Sequence, residues 1–423
     1  MDSMSAGTML LWGGSVRSMA QAARRMGERP VCVDWFGDVD TRACGPVVEC
    51  RDWEGECADV LNRLAAMRGS VILPLGGTEN FPSLFAEWRA FGRVAAASLE
   101  AIRRVRDPQW VVKQLEATGL PVLKVEELGP WRCGSATASE LSSREWLRKP
   151  RQGVAGRGVR RWDGGTIGED EYLQEFRLGE PVSAGFLAAE GRVELLGVTR
   201  QLIGDEFGAG EFGYAGNVLW ADCPASVREQ VAMIGEVLVR SAGLTGLFGV
   251  DGVLDRDEAG RPRWWVCEVN PRPTAAMELW ERGGRELLPA HLAATLGVGQ
   301  GMDGESLSSQ GICTAGQASS GTQQADSRAE WGTSEQTGVF RGKRIVYAVE
   351  RCQAVGLAEV VRGGRAFRPG WVADVPEDGL TFCAGEPICT VFAEAESHEA
   401  CVAELDRLSC VVRERYVRAA VTA

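Results

Sequence analysis

Apolar and polar residues alternate along this chain with a period that switches between two and about 3.6, and the switches mark its elements. Residues 8–34, TMLLWGGSVRSMAQAARRMGERPVCVD, give an apolar strand, a glycine turn, an amphipathic helix and a second strand that ends at Asp34. Residues 71–80, VILPLGGTEN, are a further apolar strand that runs into a glycine turn with Glu79 and Asn80. Strand, helix and strand in this order predict a parallel sheet of Rossmann type, with the loops after its strands on one edge. The turn Gly13-Gly14-Ser15 lacks the GxGxxG string, which weighs against a dinucleotide. Asp38 and Asp40, in the loop DWFGDVDTR, read as turn residues.

From Leu99 to Val122 the pattern is helical and closes the first unit at Gly119-Leu120-Pro121. Period two then returns. Residues 145–162, EWLRKPRQGVAGRGVRRW, set Lys149 at the end of a short strand, followed by a turn with Gly153, Gly156, Arg157 and Gly158. Glycines let backbone N–H groups approach phosphate oxygens while a lysine adds a point charge. No Walker string occurs, so this is not a P-loop, and taken alone the segment reads as readily as a mobile basic hairpin on the surface. Residues 172–204 alternate as antiparallel strands with a bend at Gly179. The bend separates Gln174, Glu175 and Phe176 from Glu180. Backbone groups near Glu175 to Arg177 could pair with an adenine edge while Phe176 buries its faces, and Glu180 could accept from ribose hydroxyls, the alternative for all of them being solvated strand positions. Arg200 is a second phosphate cation; Gln201 beside it reads equally as a solvated strand position.

A helix from Ala225 to Ala242 precedes the most informative stretch, residues 249–280. It reads as a hairpin with Asp251 on one strand and Glu268 on the other, turned at residues 257–260, followed by a loop and a helix from Thr274. Side chains alternate along a strand, so Glu268 and Asn270 share a face and can converge with Asp251. The alternative is an ordinary acidic hairpin. Against it, the run WWVCEV places a carboxylate among apolar residues, and buried carboxylates are paired or metal-bound. Three oxygen donors suit Mg²⁺ rather than zinc. Arg272 adds a fixed positive charge beside them.

From 297 to 338 the chain turns to Gly, Ser, Gln, Thr and Ala, a linker that spans roughly 35 Å as a coil. Short strands then resume from 339, with a final helix from His398. The expected organisation is 1–100 Rossmann-like, 101–296 nucleotide- and metal-binding, 297–338 linker, and 339–423 a β-rich appendage.

Composition narrows the partners. The 423 residues carry 46 Lys+Arg against 58 Asp+Glu, a net charge of −12, which argues against nucleic acid and anionic membrane. Anionic substrates then need a locally basic site, and Arg144 to Arg161 supplies seven basic residues opposed by Glu145 alone. The 13 cysteines include no CxxC pair, and no signal peptide or membrane span is evident, so a cytoplasmic chain with reduced thiols is expected. The two histidines, His291 and His398, read as structural.

Taken together, Lys149 with its glycine loop, the strands around Glu175, and the D…EVNPR ending resemble an ATP-grasp ligase over nearly the whole chain. The strings FGDVDTR, GGTEN, RKPRQGVAGRGVR, TRQLIG, GYAGN and ADVPEDG…GEPICTVFA are most similar to predicted ATP-grasp carboligases of methanofuran and methanopterin cofactor synthesis, a branch that contains tyramine-glutamate ligase. The resemblance implies an ATP-grasp fold of α/β and α+β parts, with a Rossmann-like N-terminal domain and a β-rich C-terminal appendage. It implies ATP and Mg²⁺ (or Mn²⁺) held by Asp251, Glu268 and Asn270, and transfer of the γ-phosphoryl group to a carboxylate, whose acyl-phosphate an amine attacks. Arg272, with Arg200, stabilises the transferring charge. The partners are then a small carboxylate and a small amine, and an oligomer is compatible. Two positions depart from the family. Asp107 is followed by Pro108 where a lysine usually stands, leaving Lys113 or Lys124 as replacements, and Pro181 occupies the usual ribose-carboxylate position. A biotin-carboxylase-like carboxylase and a non-catalytic nucleotide-binding regulator are the competing readings.

Overall fold

The computed structural model describes residues 9–127, 144–281, 285–297, 338–362 and 368–420. Most of the expected linker, 298–337, lies outside the described residues.

The first five strands form one parallel sheet, ordered Val47–Glu49, Val31–Asp34, Met9–Trp12, Val71–Pro74, Arg93–Val94. The three central ones are buried along their length, as expected of a sheet covered on both faces. The strand order reverses direction between Met9–Trp12 and Val71–Pro74, so the loops that follow them form the crevice where α/β sheets bind ligands. These loops touch. Gly14 N–H donates to Gly76 O at 2.9 Å, and a Cβ on Gly13 would lie 2.7 Å from that of Leu75, so only glycine fits there.

A second, antiparallel sheet is ordered Val125–Glu126, Glu171–Glu175, Trp146–Pro150, Arg160–Arg161. The third has eight antiparallel strands in the order Pro262–Asn270, Gly246–Arg256, Glu180–Ala189, Arg192–Ile203, Tyr214–Leu219, Phe340–Tyr347, Pro387–Ala395, Val372–Ala373. The C-terminal strands therefore continue the central sheet: Gly216 to Val218 pair with Gly342 to Arg344. Helix Ala225–Ala242 packs its Val227, Val231, Ile234 and Leu238 face on this sheet. Gly235 lets it come close, since a Cβ there would lie 2.6 Å from the Phe186 ring, itself stacked on Phe248 at 4.8 Å. The helix stops at Gly243, whose φ of 74° suits a left-handed C-terminal cap.

Two expected helices differ in form. The stretch after Leu99 is two helices, Leu99–Arg106 and Pro108–Glu116, because Asp107 caps the second and Pro108 cannot continue the first. The helix expected from Thr274 is a short 3₁₀ turn, Met277–Trp280.

A buried charge network ties the three parts together. Arg17, 2% exposed, donates to Glu278 (2.6 and 3.0 Å) and to Asp374 (2.9 and 3.2 Å), and Lys343 also reaches Glu278. Asp40 is more than a turn residue: its carboxylate accepts from the backbone N–H groups of Asp374 and Val375 at 2.9 and 3.1 Å. Those contacts hold Asp374 at a φ of 52°, a left-handed conformation that is costly without such support. Among the described residues, no helix is long and apolar enough to cross a membrane.

Candidate active site

Strand register puts Asp251 directly opposite Glu268, next to a β-bulge between Asp251 and Gly252. Asn270, two residues further along the same strand, donates from Nδ2 to Asp251 Oδ2 at 2.8 Å, and Gln201 Nε2 donates to Asp251 Oδ1 at 3.2 Å. Asp251, Glu268 and Asn270 thus meet at one end of the hairpin. Gln201 belongs with them. Burial, and then the neighbouring Glu268 charge, push the Asp251 carboxyl up to about 6. Burial works the same way on Glu268, but Arg106, Lys149 and Arg272 outweigh it and hold that carboxyl below its ordinary value.

Two guanidinium groups flank the triad, and adjacent residues of the N-terminal sheet edge hold them. Arg272 Nε donates to Glu79 Oε1 at 2.8 Å, and its Nη2 to Asn270 Oδ1 at 3.3 Å. Arg106 donates from Nη1 to Glu268 Oε1 and from Nη2 to Asn80 Oδ1 at 2.8 Å. Glu79 and Asn80 form the 3₁₀ turn Thr78–Asn80 after strand Val71–Pro74.

An open cleft runs from Glu268 between the helices after Leu99 and the second sheet. Lys149, Gly153, Gly156, Arg157 and Gln174 line it, with Val122 and Val266 supplying an apolar wall. Lys149 Nζ donates to Gln174 Oε1 at 3.0 Å and to Cys267 O at 3.4 Å. Its burial disfavours the charge, but Tyr172, Cys267 and Glu268 more than compensate and raise its pKa. The glycine turn is built from left-handed residues, Ala155, Gly156 and Gly158 at φ 54, 75 and 80°. Gly158 does not line the cleft.

The structure places the other expected residues elsewhere. Phe176 lies under the Arg161 guanidinium at 4.3 Å and edge-on to Phe212. The N–H groups of Glu175 and Phe176 donate to Lys124 O and Glu145 O, and the Glu175 carboxylate accepts from Lys124 N–H and Arg144. Glu180 pairs with Arg200 at 2.7 Å, and Arg200 also stacks on Trp220 at 4.5 Å. Strand alternation explains it: Gln201 faces Asp251, so Arg200 faces the other way. Lys113 and Lys124 are exposed, and Lys124 pairs with Glu116 at 3.3 Å. The cation at the end of this helical segment is Arg106, four residues after buried Ile102 and hence on the inward face. That spacing was the available sequence signal. His291 is a core residue, accepting from Leu247 N–H at Nδ1 and facing Ala95 O from Nε2.

Residues 111–276 match the family model described as an ATP-grasp domain. That stretch is therefore similar to ATP-grasp domains. No curated protein matches the chain by sequence. Among solved structures it is similar to pyruvate carboxylase of Rhizobium etli, with a TM-score of 0.65 and 14% identity, over 98% of this chain and 38% of that one. It therefore spans well under half of that enzyme. It is also similar to biotin carboxylase of Campylobacter jejuni (TM-score 0.63, 11% identity, 97% and 92% covered). A third likeness is to L-amino acid ligase of Bacillus licheniformis (0.59, 14%, 99% and 100%). The chain has the ATP-grasp fold.

The donor set suits a hard divalent cation, with two carboxylates, an amide oxygen and no sulfur or imidazole. No group of three or more His, Cys, Asp or Glu among the described residues is placed to hold a metal. Asp251, Glu268 and Asn270 would thus supply part of a shell that phosphate and water oxygens complete.

Proposed function

We propose that the chain is an ADP-forming, ATP-dependent carboxylate–amine ligase. The observation that carries this reading is the pairing of Asp251 with Glu268 at the end of a cleft that also holds Lys149 and the glycine turn. In it, Lys149, Gly153, Gly156 and Arg157 bind the phosphates, Gln174 lies along the nucleotide, and the apolar wall takes the base. Mg²⁺ or Mn²⁺ on Asp251, Glu268 and Asn270 would neutralise phosphate charge. A substrate carboxylate oxygen attacks the γ-phosphorus, ADP leaves, and the amine lone pair then displaces phosphate from the acyl carbon with loss of a proton. Arg272, fixed by Glu79, stabilises that charge without reorganising, and Arg106, held on Glu268 and Asn80 before the nucleotide enters, supplies a second cation. Glu175, Phe176, Glu180 and Arg200 remain candidates for the rim of the base and ribose site.

The second substrate enters at the crevice of the N-terminal sheet, where Gly76 lies against Arg272. Glutamate joined to a small amine, as in methanofuran-type cofactor synthesis, is the pairing that the sequence resemblance favours. The described cysteines are all free, which supports a cytoplasmic setting.

The test is ADP and phosphate release with Mg-ATP against single carboxylates, glutamate first, with and without amines such as tyramine. Release that needs both, with one amide formed per ADP, supports the ligase. Release that needs bicarbonate instead supports a carboxylase, and nucleotide binding without turnover under every pairing supports a regulatory protein.

A further inference from the structure

Asn80 joins three elements through its side-chain amide and its main-chain oxygen. It is 6% exposed. Its Nδ2 donates to Gly153 O at 3.2 Å, its Oδ1 accepts from Arg106 Nη2 at 2.8 Å, and its main-chain O accepts from Gln152 Nε2 at 3.3 Å. Arg106 is at the same time on Glu268. One amide thus spans from the glycine turn to a cation seated on a site carboxylate.

The two ends of that amide are not interchangeable. A guanidinium only donates, so Arg106 forces Oδ1 toward itself, and the NH₂ group must then face Gly153 O. A flipped amide would set donor against donor at Arg106 and acceptor against acceptor at Gly153, two unmade bonds in a buried place. The glycine turn needs such ties, because Ala155 sits at a φ of 54° and that conformation persists only where neighbours impose it. Among the described residues, hydrogen bonds tie residues 152–158 to other elements: two run through Asn80, and another is Tyr214 N–H to Ala155 O at 3.1 Å.

We propose that Asn80 is a positioning residue, a latch that holds the glycine turn over the cleft while Arg106 is seated on Glu268. Movement of Arg106 toward an incoming phosphate removes the Oδ1 partner and releases the turn, so entry of the anion and opening of the turn are coupled. This second step rests on the cleft being the nucleotide site. The latch itself does not.

Asn80→Asp separates the two ends, because it keeps an oxygen for Arg106 and loses the donor to Gly153. The experiment is backbone amide hydrogen exchange on the nucleotide-free protein. Exchange across residues 152–158 is expected to rise about fivefold in Asn80→Asp, the equivalent of one lost hydrogen bond, with the central sheet unchanged. Gln152→Ala, at an exposed position, is expected to raise it about twofold, as loss of a weaker, solvent-shared bond would. Unchanged exchange at 152–158 in both variants, or equal acceleration throughout the chain, overturns the latch. Calorimetry with Mg-ADP separates the two claims. If the wild type binds no Mg-ADP, the nucleotide reading and the coupling fail while the exchange result still stands. If it binds, Asn80→Asp should weaken Mg-ADP binding severalfold and raise KM for ATP with kcat within twofold.

Discussion

Arg106 and Glu268 form an ion pair across 162 residues of sequence, one at the last turn of helix Leu99–Arg106 and the other on the hairpin strand Pro262–Asn270. The arginine side chain is 14% exposed and the carboxylate 35%, so solvent screens part of the attraction. Arg106→Ala is therefore expected to lower the unfolding free energy by about 1–2 kcal/mol, less than a fully buried pair would lose. Arg106→Lys should recover only part of it, because one ammonium cannot span Glu268 and Asn80 as the guanidinium does. Urea denaturation of the three proteins measures both values.

Loss of the second carboxylate tests the site directly. Glu268→Ala is expected to abolish Mg²⁺-dependent ADP release, leaving the far-ultraviolet circular dichroism unchanged. Asp251 and Asn270 alone give two donors, too few to bind a small octahedral cation well. Wild-type turnover in this variant would remove the metal assignment.

Arg17 tests how the parts are held together. It bridges Glu278 of the central region and Asp374 of the C-terminal segment from a helix of the N-terminal sheet, and it is almost fully buried. Arg17→Ala leaves two carboxylates without their common cation, and a loss of about 3–5 kcal/mol is expected. Arg17→Lys should regain less than half, since a single ammonium cannot make the paired contacts. The measurement is again the unfolding free energy, read by tryptophan fluorescence.

Much of the fold could be read from the residues, since strand and helix periods are local. The hairpin that pairs Asp251 with Glu268 and the bend at Gly179 follow from alternation and turn chemistry alone. Which strands pair over long distances does not. Nothing in GYAGNVL or FRGKRIVY states that Gly216–Val218 will pair with Gly342–Arg344, so the C-terminal strands looked like an appendage. The site divides in the same way. Lys149, Gln174 and Glu268 lie on strands whose alternation sets their direction, whereas Asn80 takes its role from partners 26 and 73 residues away. Arg200 shows the limit of charge as a guide, because a one-residue step along a strand reverses the face.

Gly156 is expected to be intolerant of any side chain. Its φ is 75°, and an added Cβ would lie 1.9 Å from the backbone oxygen of Phe212. Gly156→Ala should shift the turn away from residues 212–214 and weaken Mg-ADP binding tenfold or more. The turn lies outside the packed cores, so the melting temperature should fall by only a few degrees. Calorimetry and thermal unfolding together check this. Intact binding would show that the turn does not contact the nucleotide.

His291 gives the chain a defined acid sensitivity. It is buried beside strand Gly246–Arg256, with Nδ1 accepting from Leu247 N–H at 2.9 Å and Nε2 3.0 Å from Ala95 O, an arrangement that fits the neutral ring with its proton on Nε2. Burial lowers its pKa to about 4. In the unfolded chain the same imidazole titrates near 6.5. Between these values the unfolded state binds a proton that the folded state does not, so stability rises with pH across the window and is lost as pH falls through it. The full difference corresponds to about 3 kcal/mol, present above pH 6.5 and gone below pH 4. His291→Gln removes the titrating group and keeps a side chain able to hydrogen-bond. Its unfolding free energy should be lower than wild type at pH 7.5, and the gap should narrow by about 2–3 kcal/mol on going to pH 4.5. Equal pH slopes for the two proteins would mean that His291 titrates normally in the fold and is not sealed in the core.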